Sequence, residues 1–208
     1  SRSSRSLLND ERSRSAWRAE RASGRATDAT LVLVLVAIVR SEVWVISSAP
    51  NASNASRHAI IDRQVQTALN ANPASAVLII GAGFDTRAFR LKGGRWIEID
   101  EAPIINRKES KLPASTAPNQ LTRISIDFAH ESLLEKLSPY ASTERTHVII
   151  EGVLMYITQT QRLSLLRVLQ QTFPEHIVYC DLMRKSFFER YSKPVHEKIV
   201  GLGARFTD

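Results

Sequence analysis

The sequence predicts an α/β fold, a mostly parallel sheet with helices on both faces. Three observations carry this. Five short runs rich in Val, Ile and Leu recur from residue 76 onward. Helical patterns or turn signals separate them. Acidic residues and glycine stand just after the runs, where an open parallel sheet places its ligand crevice.

The elements follow in order. Residues 1–30 are rich in Ser, Arg and Ala, with only Leu7, Leu8 and Trp17 as large apolar groups, and are expected to be disordered. An organellar targeting peptide is the functional alternative for this segment. The protein is otherwise expected in the cytoplasm. Residues 31–56 form an apolar run and a polar linker. The nine apolar residues Leu31 to Val39 fall short of the roughly 20 of a membrane-spanning helix, so a buried strand or helix is expected. Asn51 and Asn54 each begin an Asn-Ala-Ser glycosylation pattern, which matters only in a secreted chain.

From residue 57 the pattern becomes regular. Arg57 to Ala71 reads as a helix with Ile61, Val65 and Leu69 on one face. The five strands are Ala76–Ile80, Arg95–Ile99, Leu121–Ile126, His147–Ile150 and His176–Cys180. Pro103 marks a helix start, continued by Ile104, Ile105, Lys108 and Leu112. Thr158 and Gln161 form a capping box, and Pro174 ends the helix it opens. Lys185 to Val200 also reads as helical.

Composition narrows the chemistry. Of 208 residues, 28 are basic and 21 acidic, giving +7. Residues 1–25 alone hold seven arginines against three acids, so the basic balance is mainly a property of that segment. It is weak evidence for nucleic acid, and neither a nucleic-acid nor a membrane partner is expected. The single cysteine, Cys180, excludes an internal disulfide and a cysteine-based zinc site, and a buried inert thiol is expected there. The five histidines show no metal-ligand spacing, so no metal is expected.

The residues after the strands are Gly81, Asp100, Asp127, Glu151 and Asp181. Gly81, Ala82 and Gly83 form a turn that lets a ligand approach the backbone closely. Thr86 stands where a dinucleotide fingerprint needs its third glycine, and Asp85 would repel a diphosphate. Both count against a dinucleotide-dependent oxidoreductase and for a nucleoside without a diphosphate. Asp100, 19 residues after Gly81, is placed to accept ribose hydroxyls, with helix capping as the alternative. Asp127 and Phe128 can hold an adenine amino group and cover its ring, or be a cap and a core residue. Glu151 suits an ammonium or sulfonium, or pairs with Arg57 or Arg87. Those two arginines are candidate carboxylate clamps. No histidine receives a role.

Four blocks then stand together: Val77 to Leu91 around the glycine turn, Trp96 to Asp100, Ile149 to Ile157, and Tyr179 to Met183. They resemble the leucine carboxyl methyltransferase family, including its bacterial branch of polyketide O-methyltransferase-like proteins, over roughly residues 57–208. The resemblance implies a Rossmann-like class I methyltransferase that uses S-adenosyl-L-methionine. It implies that Arg57 holds the methionine carboxylate and that Gly81, Ala82 and Gly83 pass beneath the methionine. Asp100 would bind the ribose, Asp127 and Phe128 would surround the adenine, and Glu151 would lie by the amino group. The resemblance further implies a carboxylate or hydroxyl acceptor, expected on a small molecule. A protein C-terminal leucine is the alternative, as is a nucleoside-binding fragment without turnover. No catalytic residue, general base or oligomeric state is assigned.

In that family an antiparallel strand pair follows the fifth strand and its helix. This sequence reaches Asp208 without it. The expectation is a C-terminally truncated domain, 57–208, with an unpaired sheet edge and part of the acceptor pocket lacking.

Overall fold

The computed structural model describes residues 33–38, 42–47 and 54–182, with side chains from residue 57. The expected tail at 1–30 and the expected helix at 185–200 lie outside the described residues.

In chain order the elements are β1 (Leu33–Ile38), β2 (Glu42–Ser47), α1 (Asn54–Ala71), β3 (Ala76–Ile80), α2 (Arg87–Arg90), β4 (Arg95–Asp100), α3 (Ala102–Lys111), β5 (Gln120–Ser125), α4 (Leu133–Leu137), β6 (Thr146–Ile150), α5 (Gln159–Thr172) and β7 (His176–Leu182). They build one seven-stranded sheet in the order β2-β1-β7-β6-β3-β4-β5. Strands β3 to β7 are mutually parallel where they pair. Within the apolar run at 31–39, Leu33–Ile38 is a strand, and the hairpin it forms with β2 is antiparallel.

That hairpin corrects one expectation. The edge of β7 is paired: β1 runs antiparallel along it, with Leu33 opposite Leu182 and Ile38 opposite Ile177. The edge strands of the described sheet are therefore β5 and β2.

Burial explains the strands. In β3 and β6 every residue is buried, as central parallel strands with both faces covered require. In β5, at the edge, no residue is buried. Alternate side chains feed two cores. On one face Leu78, Ile80, Ile97, Ile99, Val148 and Ile150 meet Leu137 of α4 and Leu165 and Leu169 of α5. On the other, Val77, Ile79, Trp96 and Ile149 meet Ile61, Val65 and Leu69 of α1. Full burial of each such aliphatic side chain contributes about 1.5–3 kcal/mol.

Local signals fix the helix ends. At α5 the Thr158 hydroxyl accepts from the Gln161 N–H while Gln161 Oε1 accepts from the Thr158 N–H, so the capping box is complete. Pro103 lies in the first turn of α3, whose lost N–H needs no partner there.

The strand order places the site. The chain runs outward from β3 to β4 and β5, then returns across β3 to β6 and β7. The order reverses between β3 and β6, so the crevice lies beyond their carboxyl ends. Gly81 follows β3 and Glu151 follows β6.

Candidate active site

A cavity of about 490 Å³ opens at this reversal, within the usual size of small-molecule sites. Arg57, His58, Ile79, the turn from Gly81 to Thr86, Arg90 and Glu151 line it.

The turn is held in place by β4. The Gly81 and Ala82 N–H groups both donate to the Ile99 carbonyl, at 2.9 and 3.2 Å. Gly83 N–H donates to Asp100 Oδ2 at 2.6 Å, and Asp100 Oδ1 accepts from the Glu101 N–H at 2.7 Å. The capping alternative for Asp100 is thereby excluded: Glu101 is the N-cap of α3. The two glycines answer different needs. Gly81 has φ +67°, and a Cβ there would lie 2.4 Å from Val153 Cγ2, so internal packing demands it. Gly83 has φ +45°, and a Cβ there would meet nothing within 4 Å, so its backbone borders open space.

Behind the turn lies an ionic cluster. Arg87 is fully buried. Its Nε donates to Asp62, its Nη1 to Asp85 and its Nη2 to Glu151. Burial opposes a buried charge, but these three carboxylates raise the guanidinium pKa further above its ordinary range. Burial likewise opposes the charge of Asp62, yet Arg90 and Arg87 hold its carboxyl below the usual carboxylate range. Arg57 Nε donates to Glu151 Oε1 and Arg57 Nη1 to Asp181 Oδ2 at 2.7 Å. Three guanidinium groups (Arg57, Arg87 and Arg90) thus face four carboxylates (Asp62, Asp85, Glu151 and Asp181). The excess negative charge suits a cationic ligand.

The expected residues divide into two groups. Arg57, Gly81, Ala82, Gly83 and Glu151 meet at one cavity, with Asp100 tied to its turn. Asp127 and Phe128 are not among the cavity's lining residues. Asp127 caps no helix, since Ser132 caps α4. It accepts from the Ala129 N–H at 2.9 Å and pairs with His130 Nδ1 at 2.8 Å. These bonds, that to His130 foremost, lower the Asp127 pKa, and the same pair raises that of His130. Phe128 is 43% exposed, so it is not a core residue.

Other expectations change. Arg87 is no ligand clamp, because protein carboxylates occupy its three nitrogens. Asp181 lies within β7 rather than after it, buried, where it also accepts from the Gly152 N–H at 2.7 Å. Glu151 does pair with both Arg57 and Arg87. Burial, reinforced by the nearby Asp181 charge, pushes the Cys180 thiol up to about 12, as an inert thiol requires. Sequence reasoning missed His58, which lines the cavity beside Glu151, and Phe84, which is 57% exposed at its rim with the Arg107 guanidinium 5.8 Å above its ring. The direct adjacency of His58 to Arg57 was the available signal.

Among the described residues no group of three metal-ligating side chains occurs, and no helix is long and apolar enough to cross a membrane.

A family model described as leucine carboxyl methyltransferase matches residues 5–170. The match begins well before residue 57, where the likeness was expected to start, and takes in the β1–β2 hairpin. No curated protein matches the chain. Among solved structures, magnesium protoporphyrin IX methyltransferase from Synechocystis PCC 6803, with SAH bound, is 18% identical at a TM-score of 0.45. That match covers 70% of this chain and 63% of that one. The methyltransferase domain of bacterial CtHen1 is 14% identical, with a TM-score of 0.43 over 56% of this chain and 62% of that one. PKMT2 from Rickettsia typhi is 16% identical, with a TM-score of 0.40 over 51% of this chain and 20% of that one. The chain therefore spans from a fifth to less than two thirds of the length of these structures. It belongs to the leucine carboxyl methyltransferase family, whose methyl donor is S-adenosylmethionine.

Proposed function

We propose that this leucine carboxyl methyltransferase family member binds S-adenosylmethionine over the Gly81–Gly83 turn and transfers its methyl group to a carboxylate or hydroxyl oxygen of a small molecule. The observation that carries the reading is the tie between turn and carboxylate. Gly83 N–H is bonded to Asp100 beside a cavity lined by Arg57 and Glu151.

The residues present suit that cofactor. The Gly83 backbone borders open space, so a ligand can rest against it. Arg57 Nη2 has no partner among the described residues and is free to hold a carboxylate. Glu151 and the surplus carboxylate beside it favour an ammonium or sulfonium. Asp100 keeps lone pairs beyond those given to Gly83 and Glu101, enough to accept from ribose hydroxyls. Asp127 and the exposed Phe128 ring, after β5, are assigned to the adenine.

S-adenosylmethionine, when bound, supplies a methyl group on an electrophilic sulfonium. The chain's part is to orient the donor and exclude water, since displacement gains most from proximity and alignment. An ionised carboxylate acceptor requires no base, whereas a hydroxyl requires one.

The test is methyl transfer from radiolabelled S-adenosylmethionine to three acceptor sets: small carboxylic acids, small hydroxylated compounds and peptides ending in leucine. Base-labile or base-stable label on a small molecule supports the reading as ester or ether. Label confined to the peptides would move the assignment to a protein C-terminus. Binding without turnover on any set would leave a nucleoside-binding module.

A further inference from the structure

The two edges of the described sheet differ in kind. At one edge β5 runs Gln120-Leu-Thr-Arg-Ile-Ser125, polar at four of its six positions, with Arg123 among them. Polar and charged residues discourage a further strand from adding to an edge. At the other edge β2 runs Glu42-Val-Trp-Val-Ile-Ser47. Its four central residues are apolar, and because successive positions alternate between faces, both faces of the strand carry apolar positions.

The usual guards of an open edge are also absent from β2. Its pairing with β1 is unbroken from Leu33 opposite Ser47 to Ile38 opposite Glu42, so no bulge interrupts it. It contains no proline or lysine, and its one charged residue, Glu42, stands at its start. In an antiparallel ladder only alternate residues direct their N–H and C=O toward a given neighbour. The remaining residues of β2 present theirs along the open side, a template for another strand.

The order of residues in β2 fits a copy of itself. A two-fold axis normal to the sheet sets two β2 strands antiparallel and makes the contact self-complementary. With Val45 on the axis, it stands opposite Val45 of the other copy, Trp44 stands opposite Ile46, and Val43 opposite Ser47. Aromatic and β-branched residues paired in this way favour association, and no like charges are opposed. Glu42 then falls opposite position 48, a serine. With Trp44 on the axis instead, Glu42 would stand opposite Ile46, a charge against an apolar position. Strands β1 and β7 separate β2 from β6 and β3, at whose ends the cavity lies, so pairing at this edge leaves the cavity open.

We propose that the β2 edge is a self-association surface. Two copies of this chain join β2 to β2, antiparallel about a two-fold axis through Val45, and merge their sheets into one. The inference does not depend on the cofactor reading.

The test combines sedimentation of the full chain with cysteine cross-linking. Across the axis the two Val45 Cα atoms would lie about 4.5–5.5 Å apart, a separation that a disulfide accepts. The natural Cys180 is buried and adds no background. Wild type is expected to sediment as a dimer at micromolar concentration, and Val45→Cys to form a covalent dimer under mild oxidation. Thr122→Cys, on the β5 edge, is expected to form none. Val45→Lys opposes two like charges on the axis and is expected to weaken association at least about tenfold, with its circular dichroism unchanged. Should Val45→Cys fail to fold, a mixture of Val43→Cys and Ser47→Cys proteins tests the same register. A wild type that stays monomeric at about 100 μM would overturn the proposal. So would a dimer that neither set of cysteines links, since its interface then lies elsewhere. Protection of the β2 amides from hydrogen exchange in a monomer would overturn it by giving the edge to another segment of this chain. Species larger than a dimer would exclude a closed two-fold pairing.

Discussion

Two buried ionic clusters in this protein satisfy their charges differently. Around Arg87, each guanidinium nitrogen donates to a carboxylate, and the cluster opens on the cavity through Arg57, His58 and Glu151. Around Glu98 of β4, the cluster is buried and does not open on that cavity, reaching the surface only where Arg123 Nη1 pairs with Glu109. Glu98 Oε2 lies 2.8 Å from Lys108 Nζ and accepts from Arg123 Nε at 2.9 Å. Yet Glu98 Oε1, Lys108 Nζ and Arg123 Nη2 lack a hydrogen-bond partner of good alignment. A buried ion pair whose remaining polar atoms are unmatched contributes little net stability. The contrast shows that charge burial alone does not mark a functional site. Complete pairing beside an accessible cavity does so better.

The comparison can be broken most sharply at Arg87. Arg87→Ala leaves Asp62, Asp85 and Glu151 without their shared cation. It is expected to cost about 3–5 kcal/mol in denaturant unfolding. A loss below about 1 kcal/mol would mean that the cluster is not the cohesive unit described.

A third buried group, with no carboxylate partner among the described residues, gives a reference point. His147 Nδ1 contacts the Tyr179 hydroxyl at 2.9 Å. Burial, aided by Arg145, lowers its pKa from 6.5 to about 4. The folded state therefore holds the neutral ring, while the unfolded chain takes up a proton more readily. Stability on this account is full above about pH 6.5 and declines as pH falls toward 4, by up to about 3 kcal/mol. His147→Gln should flatten that part of the pH–stability curve; an unchanged curve would contradict the assignment.

Lys108 gives the smallest effect and separates the clusters directly. Lys108→Met is expected to cost about 1–3 kcal/mol, because Glu98 keeps Arg123. Replacing Glu98, Lys108 and Arg123 together by Leu or Met should return stability to within about 1 kcal/mol of wild type or above it. Ligand affinity should be unchanged throughout. A triple variant less stable than the single one would show that the Glu98 cluster stabilises the fold.

Much of the sheet was legible because each strand is a short apolar run closed by Gly, Asp or Glu. The capping box at Thr158 and Gln161 was equally local. The nearness of Asp100 to the glycine turn could be anticipated because both close neighbouring, consecutive parallel strands. What escaped was long-range. The pairing of Arg57 with Glu151 was foreseen only as an alternative, and its contact with Asp181, 124 residues away, was not foreseen at all, since no local pattern encodes it. Arg87 looked like a free clamp because residue type does not reveal burial. His58 had no signature until the fold placed it at the cavity wall beside Glu151. The β1 run was legible as apolar, but nothing in it states which edge it joins, so its pairing with β7 was missed.

The central claim is that the Gly81–Gly83 turn and Asp100 form the adenosyl-ligand site. Calorimetric titration of wild type and Asp100→Ala with S-adenosylmethionine, S-adenosylhomocysteine and NAD tests it most directly. Binding of both adenosyl compounds by wild type, with NAD silent and at least about a tenfold loss in the variant, is the predicted result. Binding of NAD as tight as that of S-adenosylmethionine, or a folded Asp100→Ala protein with undiminished affinity, would contradict it.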